Sequence, residues 1–494
     1  LFRESPETLP VSMPDSEQLD DMSRSTRINW SQLFRRFDAA WKRSEQWKLT
    51  PLRRTAIRRA SEWMIERFAG SDGLGAIFPP MVWSVIALKC LGYSCRSPIL
   101  ASAIEELEQL VIGEEDTDRL QPCKSPVWDT SLSIIALRES GLPAEHPSLR
   151  AASHWLLEQE IRQPGDWSLD RPGESPTGWC FEFNNRFYPD IDDTAMAVLA
   201  LIRCLPELPW TADFFLDNDP THGSDLDPGT ILAGRTLAPR EANETIEAMQ
   251  PLLAAIQRGA HWLLGMQSRD GGWGAFDVNN DREILTRVPF ADHNAMIDPS
   301  TADLTARVLE MLGGLGTAET HPAVVKALEF IWNSREEDDC WYGRWGVNYI
   351  YGTWQTLLGL NAIGVPRGDS RVRAAARWLV DHQHPSGGWG ESPRTYDDPS
   401  LRGSGPTTAS QTAWAIMGLL AAGHADSEAV DRGIRFLLST QERNGTWSEP
   451  WFTGTGFPRV FYLKYHLYPV YFPLMALGRY AKARRSRQQA RHTA

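Results

Sequence analysis

Apolar positions recur at helical spacing along most of this chain. The windows 55–68, 81–92, 127–140, 147–159, 193–204, 250–266, 301–314, 353–363, 370–382, 409–422 and 427–440 read as amphipathic or buried helices. Strand-like alternation is nearly absent, so the fold class is all-α. Helix stops are marked by Gly141-Leu142-Pro143 and Gly364-Val365-Pro366. Residues 1–29 are polar and Ser- and Asp-rich, which predicts irregular structure. The stretch 207–246, with Asp217, Asp219, Pro220, Gly223, Asp225 and Asp227, predicts a long surface excursion.

A motif repeats between these helices. Gln267…Gly271-Gly272-Trp273, Gln383…Gly387-Gly388-Trp389 and Gln441…Gly445-Thr446-Trp447 share Gln-x3-Gly-x-Trp. Looser copies stand at Gln159…Gly165-Asp166-Trp167 and at Arg335…Asp339-Cys340-Trp341. Three intact copies with one internal spacing point to a repeat architecture. Each copy reads as a helix C-terminus closed by Gly, with Gln and Trp tying the turn to the next helix. Helical pairs joined in this way stack into a solenoid or close into an α-α barrel. The repeat Trp residues are therefore scaffold.

Composition narrows the function. The net charge of -13 over 494 residues argues against a nucleic-acid partner. Twenty-one Trp residues exceed what a core of this size needs. Cys90, Cys95, Cys123, Cys180, Cys204 and Cys340 show no CxxC or zinc spacing, so reduced thiols and a cytoplasmic chain are expected. No apolar run is long enough for a membrane-spanning helix. The chain opens at Leu1 without a signal pattern, as a partial sequence would.

The candidate chemistry lies in Tyr188-Pro189-Asp190-Ile191-Asp192-Asp193-Thr194. Taken alone it is a helix start, where carboxylates accept orphan N–H groups and meet the positive end of the dipole. Capping uses one or two carboxylates, however, and here three fall in four residues. The company of the motif decides between these readings. Ser125-Pro126-Val127-Trp128-Asp129-Thr130, Gly343-Arg344-Trp345-Gly346-Val347-Asn348-Tyr349, Gly454-Thr455-Gly456-Phe457-Pro458 and Phe461-Tyr462-Leu463 running to Ala476-Leu477-Gly478-Arg479-Tyr480 occur in order with it.

Together with the Gln/Trp repeats, these residues resemble squalene-hopene cyclases, the bacterial class II triterpene cyclases, from about 55 to 482. The resemblance implies two α-α barrel (toroid) domains, with residues 1–137 the remnant of the N-terminal-side barrel and 138–494 the catalytic one. A family N-terminal stretch of about 200 residues lies outside this chain. The implied chemistry is protonation of a terminal alkene of squalene by a carboxylic acid, followed by cation-driven ring closure to hopene or hopanol. Alkenes are weak bases, so the acid must be strong and water kept out.

By resemblance Asp192 is the proton donor, with Asp190 and Asp193 in support. Family members place a His beside this acid, whereas the matching position in Asp303-Leu304-Thr305-Ala306-Arg307 holds Arg307. Arg cannot release a proton, but it can stabilise the conjugate base and so acidify Asp192. Asp303 is then expected to orient Arg307, and Tyr351 to contact the acid through water. Without the resemblance, Asp303/Arg307 is a surface i,i+4 pair. The cation-stabilising aromatics fall by resemblance on Trp128, Phe181, Phe276, Trp345, Phe457, Phe461, Tyr465 and Tyr468, with core packing the plain alternative for each.

The segment Trp30 to Trp41 sets aromatics and Leu at helical spacing beside Arg and Lys, which suits an interfacial helix or a core helix equally. The basic tail Lys482–Arg491 would add attraction to anionic lipid. A monotopic protein on the cytoplasmic membrane face, assembled as a homodimer, is what the resemblance implies; no cofactor and no metal are expected. The absence of Asp-Asp-x-x-Asp leaves metal-assisted diphosphate ionisation unsupported. Oxidosqualene cyclases lack the first Asp of the motif, and class II diterpene cyclases lack these repeats. A non-catalytic solenoid and a carboxylate-pair glycosidase are the readings from other classes.

Overall fold

The computed structural model describes residues 29–47, 53–113, 117–205, 215–216, 239–288 and 296–493. They fall into two units, Leu1–Pro51 with Arg282–Met296, and Leu52–Asp281 with Ile297–Ala494. Of the excursion 207–246 only 215–216 and 239–246 are described, both helical where the sequence predicts a surface excursion, and of the polar segment 1–29 only Asn29 is described.

The smaller unit holds helix α1, Trp30–Gln46. Its Ser31 hydroxyl donates to the Arg287 carbonyl at 3.3 Å, tying it to the short 3-10 turn Glu283–Arg287.

The larger unit opens with α2 (Arg53–Phe68), α3 (Phe78–Cys90) and α4 (Pro98–Glu108), which share a small core of Met64, Leu88, Leu100 and Ala103. A hairpin of Val111–Gly113 and Asp118–Leu120 follows. Then come α5 (Pro126–Glu139), α6 (Pro147–Glu158), α7 (Ile191–Cys204), α8 (Pro239–Gly265), α9 (Ala302–Gly314), α10 (Pro322–Asn333), α11 (Tyr349–Ala362), α12 (Ser370–Asp381), α13 (Ala409–Ala421), α14 (Glu428–Thr440) and α15 (Tyr468–Thr493).

Contacts among these helices close a ring. Helix α5 packs on α7, α7 on α9, α9 on α11, α11 on α13, α13 on α15, and α15 returns to α5. Helices α6, α8, α10, α12 and α14 pack outside. This is an α-α barrel. The inner helices α7, α9, α11 and α13 are buried almost all round, while α12 and α14 bury one stripe each. The ring already includes Pro126–Glu139, which a boundary at 137/138 assigns to the preceding domain; the packing places the start of the barrel before Pro126.

The repeat motif makes this closure. In each copy the Trp indole donates back to the last turn of the preceding outer helix: Trp273 to Leu263 O at 2.6 Å, Trp389 to Leu379 O at 2.6 Å and Trp447 to Leu437 O at 2.8 Å. It thus satisfies an orphan carbonyl of that helix. The Gln side chain reaches forward to the next outer helix. Gln267 donates to Gly271 O and Ala323 O at 2.8 and 2.9 Å, and Gln383 to Gly387 O and Ala429 O, both at 2.7 Å. Gly387 sits at φ +91°, and a Cβ there would meet the Arg432 carbonyl at 2.8 Å. Replacing Gln383 with Ala is expected to cost about 1–3 kcal/mol, read as a lower denaturant midpoint, because two buried carbonyls lose their donor.

Two copies differ from the sequence pattern. Trp341 keeps its bond to Ile331 O at 2.8 Å although Gln and Gly are gone, and Asp339 takes the Gly position at φ +68°. In the copy at 159–167 the structural counterpart is Trp179, not Trp167: the Trp179 indole donates to Leu156 O at 2.7 Å, while Trp167 Nε1 has no hydrogen-bond partner among the described residues. The insertion between Gln159 and Trp179 hides this from a fixed-spacing reading.

A second tie sets the register of the inner helices. In four copies the backbone N–H of the repeat Trp donates to a Thr near the start of the following inner helix. The pairs are Trp179 to Thr194, Trp273 to Thr305, Trp341 to Thr353 and Trp389 to Thr412, at 2.9–3.2 Å. Thr194 of the Asp motif is therefore a fold element shared by four inner helices.

Candidate active site

Inner and outer helices alternate, so the inner helices run parallel and their N-termini gather at one end of the barrel. Trp128, Asp192, Asp303, Tyr351 and Tyr468 all stand within the first three positions of their helices. Asp192, Asp303 and Tyr351 each lie two residues before the Thr that the repeat Trp holds. The repeat thus converges these side chains on one place, at the positive ends of several helices.

The three motif carboxyls do different work. Asp190 is the N-cap of α7: its Oδ1 accepts from the Asp193 N–H at 2.7 Å, and its own N–H donates to Trp179 O at 3.0 Å. The capping reading is correct for this residue. Asp193 is buried at 3% exposure, with Oδ1 lacking a hydrogen-bond partner among the described residues. Asp192 alone keeps an opening, with 14% of its side chain accessible although it lies at the start of an otherwise buried helix, and it forms an ion pair with Arg307 Nε.

Arg307 is buried on the inner face of α9, so the Asp303/Arg307 pair is no surface feature. Its Nη2 donates to Tyr351 Oη at 2.8 Å, its Nη1 lies 3.0 Å from Met196 Sδ, and its guanidinium stands 5.1 Å from the Trp128 ring centroid. Two expectations change here. Tyr351 reaches the acid through Arg307, and Asp303 does not hold Arg307. Instead Asp303 Oδ2 accepts from the Arg344 and Trp345 N–H groups at 2.8 and 3.0 Å, fixing that loop over the barrel end. Gly346 lets the loop approach: a Cβ there would lie 2.3 Å from the Tyr351 ring.

Burial pushes the Asp192 carboxyl up, the Arg307 charge pulls it back, and the result is about 6. Burial raises Asp190 to about 8, its bond from Asp193 opposing and the Asp192 charge adding to the rise. Burial also drives Asp193 well above the carboxylate range. The motif therefore holds one carboxyl that Arg307 keeps near 6 beside two that burial raises further. Burial opposes the charge of Arg307, and Asp192 more than offsets it, so Arg307 stays charged.

The aromatics form two groups. Trp128 and Phe181 rings lie 6.5 Å apart, Phe181 and Tyr465 6.2 Å, and Tyr465 stacks on Tyr468 at 4.3 Å; the Trp128 indole donates to Tyr468 Oη at 3.2 Å. This wall adjoins Asp192 through Arg307 and Trp128. Phe457 and Phe461, 5.6 Å apart on the hairpin Gly454–Phe457/Phe461–Leu463, form the second group with Trp345. Arg344, 4.2 Å from the Trp345 centroid and 5.2 Å from that of Phe457, joins them. Phe276 belongs to neither wall and is 40% exposed, its N–H donating to Asp298.

Sequence reasoning missed three contributors. Trp414 and Phe472 extend the first wall at 6.0 and 5.0 Å from Tyr468. Glu182 is buried near the motif and accepts a bond from Asn185 Nδ2 at 3.1 Å. The signal for Trp414 was present, since it sits two residues after the register Thr412 on an inner helix.

A closed ring of inner helices, an anionic carboxyl and a buried cation at its N-terminal end, and aromatic walls around them fit one family. Residues 124–208 and 217–482 match the model of the squalene-hopene cyclase C-terminal domain, and residues 3–116 that of the N-terminal domain. The chain belongs to the squalene-hopene cyclase family. It is 41% identical over 92% of its length to a squalene--hopene cyclase of Bradyrhizobium diazoefficiens, and 39% identical over 91% to that of Alicyclobacillus acidocaldarius. A dammaradiene synthase of Dryopteris crassirhizoma is 39% identical over 93%. The chain spans 64%, 65% and 64% of these three relatives' own lengths. No helix among the described residues is long and apolar enough to cross a membrane.

Proposed function

We propose that the chain cyclises squalene to a pentacyclic hopanoid, hopene or hopanol, with Asp192 as the proton donor. The observation that carries this reading is Asp192 itself, the one partly accessible carboxyl of the motif, paired with Arg307, whose guanidinium faces the Trp128–Phe181–Tyr465–Tyr468 wall. The terminal alkene takes the Asp192 proton. The resulting cation then meets aromatic faces, which stabilise positive charge without forming a bond to it. Arg307 holds the Asp192 carboxylate left behind, so the donor is a stronger acid than burial alone allows. A dry barrel keeps water from capturing intermediate cations.

Squalene reaches such a site from a bilayer. Leu33, Phe37 and Trp41 on α1 are all exposed along one stripe, and support a helix lying in the membrane interface. We place the protein on the cytoplasmic membrane face, as a homodimer, on the family resemblance alone.

The test is incubation of the chain with squalene in detergent micelles, with extraction and mass-spectrometric analysis of products. Pentacyclic hydrocarbon or alcohol is the expected result, and unchanged squalene overturns the reading. Likeness to a dammaradiene synthase means that product analysis, rather than identity, fixes the ring skeleton and the terminating step.

A further inference from the structure

Arg307 sets each nitrogen of its guanidinium against a different partner. Nε meets Asp192 Oδ1 as an ion pair, out of line for a hydrogen bond. Nη2 donates to Tyr351 Oη at 2.8 Å, and Nη1 lies 3.0 Å from Met196 Sδ. Met196 is buried one turn after Asp192 on α7, so acid and thioether face the cation from the same side of that helix. Neither terminal nitrogen donates a hydrogen bond to Asp192.

Other Arg–carboxylate pairs of this chain are built differently. Arg258 donates through Nε and Nη2 to the two oxygens of Glu160 at 2.8 and 2.6 Å, and Arg371 through the same nitrogens to Asp369 at 3.0 and 2.7 Å. Arg67 takes the two oxygens of Asp166 in the same way. A two-bond fork is the strongest hold a guanidinium has on a carboxylate, and it opposes protonation. At Asp192 no fork forms, although both groups are buried and in contact. Tyr351 holds the Nη2 that a side-on fork needs, and Met196 engages the Nη1 that an end-on fork would add.

We propose that Met196 and Tyr351 are positioning residues that hold Arg307 out of a two-bond fork with Asp192, so that the acid is strengthened by the cation yet still takes up a proton. The inference rests on Asp192 being the acid. A full fork would keep Asp192 a carboxylate near neutral pH, and no cation at all would leave it a weak acid. A thioether suits the place, because it is a weak acceptor that engages Nη1 without a second negative charge. Asp190 and Asp193 on α7, Asp303 and Glu310 on α9, Tyr351 on α11 and Tyr468 on α15 are the other titratable groups facing the pair. Helix α5 presents the Trp128 ring, and α6 and α8 pack on α7 without bringing a charge to Asp192 among the described residues. Arg307 is thus the one cation there that acts on the acid.

The test is the pH profile of turnover at limiting squalene for Tyr351→Phe, Met196→Leu and the double variant, with folding followed by thermal denaturation. Both replacements nearly keep size and remove an acceptor. Each leaves a buried N–H of Arg307, with Asp192 Oδ1 still short of a hydrogen bond. The expected result is a break moved down from near 6, by about one unit in each single variant and by more in the double one. At pH 7 that reads as a roughly tenfold or greater loss, with little loss below the new break. Met196→Gln, which restores an acceptor, should bring the break back toward 6. The same titration is read without turnover from the infrared band of the protonated Asp192 carboxyl, taken as the difference from Asp192→Asn. A break and band that stay in place, as for residues that only pack, overturn the proposal. So does an upward shift, which a guanidinium released from the acid would give. If the unaltered chain makes no product, the acid reading fails, and the infrared midpoints still decide how Arg307 is held.

Discussion

Replacing Asp192 with Asn is expected to lower squalene turnover by roughly a thousandfold or more, the loss associated with removing an essential general acid. Size and shape are kept, and the amide oxygen can still face Arg307. What disappears is the proton. Arg307 loses its counter-charge inside the barrel, so a fall in stability of about 3–5 kcal/mol is expected alongside. Folding is therefore followed separately by thermal denaturation. Asp190→Asn is the matched control. Its amide oxygen can still accept the Asp193 N–H, so the cap survives, and activity should fall by about tenfold or less. If Asp190→Asn and Asp192→Asn lose activity equally, the motif acts as a unit and Asp192 is not the sole donor. If Asp192→Asn turns over normally, the acid lies elsewhere.

The sequence could show that three carboxyls stood in one motif, but not how they divide the work. The cap was legible in kind, because the Asp motif falls where the periodic window 193–204 begins; that Asp190 is the capping residue and Ile191 the first of the helix came from the structure. The ring was legible through the Gln/Trp repeat. The direction of the Trp bond was not, since its acceptor lies ten residues back in a helix whose end depends on that bond. Three helices escaped periodicity. These are α4, α10 and α15, the last rich in aromatics with Pro473 inside it. Asp303 was misread because its partners, the Arg344 and Trp345 N–H groups, lie about 40 residues on in sequence. Local i,i+4 spacing suggested Arg307 as the nearer partner. Glu182 carries no motif at all; only burial without a cation marks it.

Arg307→Gln is expected to weaken the acid rather than delete it, and pH separates the two. In the unaltered chain Asp192 donates only when protonated, and its carboxyl titrates near 6. Turnover at limiting squalene should hold below that pH and fall about tenfold per pH unit above it. Without Arg307, burial and the Asp303 charge still act on Asp192, and both raise it. The break in the profile should therefore move upward by a unit or more. Below the break the rate should drop roughly 10–100-fold, since a weaker acid protonates an alkene more slowly. Stability should follow the same sign. Removing one partner of a buried pair costs about 3–5 kcal/mol when the other remains charged. As pH falls below the new break, Asp192 takes up a proton and that cost is relieved; as pH rises, it returns in full. Denaturation midpoints at pH 5 and pH 8 thus diverge more in the variant than in the unaltered chain. A break that stays near 6 would mean that Arg307 does not tune Asp192, and that its place beside the acid serves Tyr351 and Met196 instead.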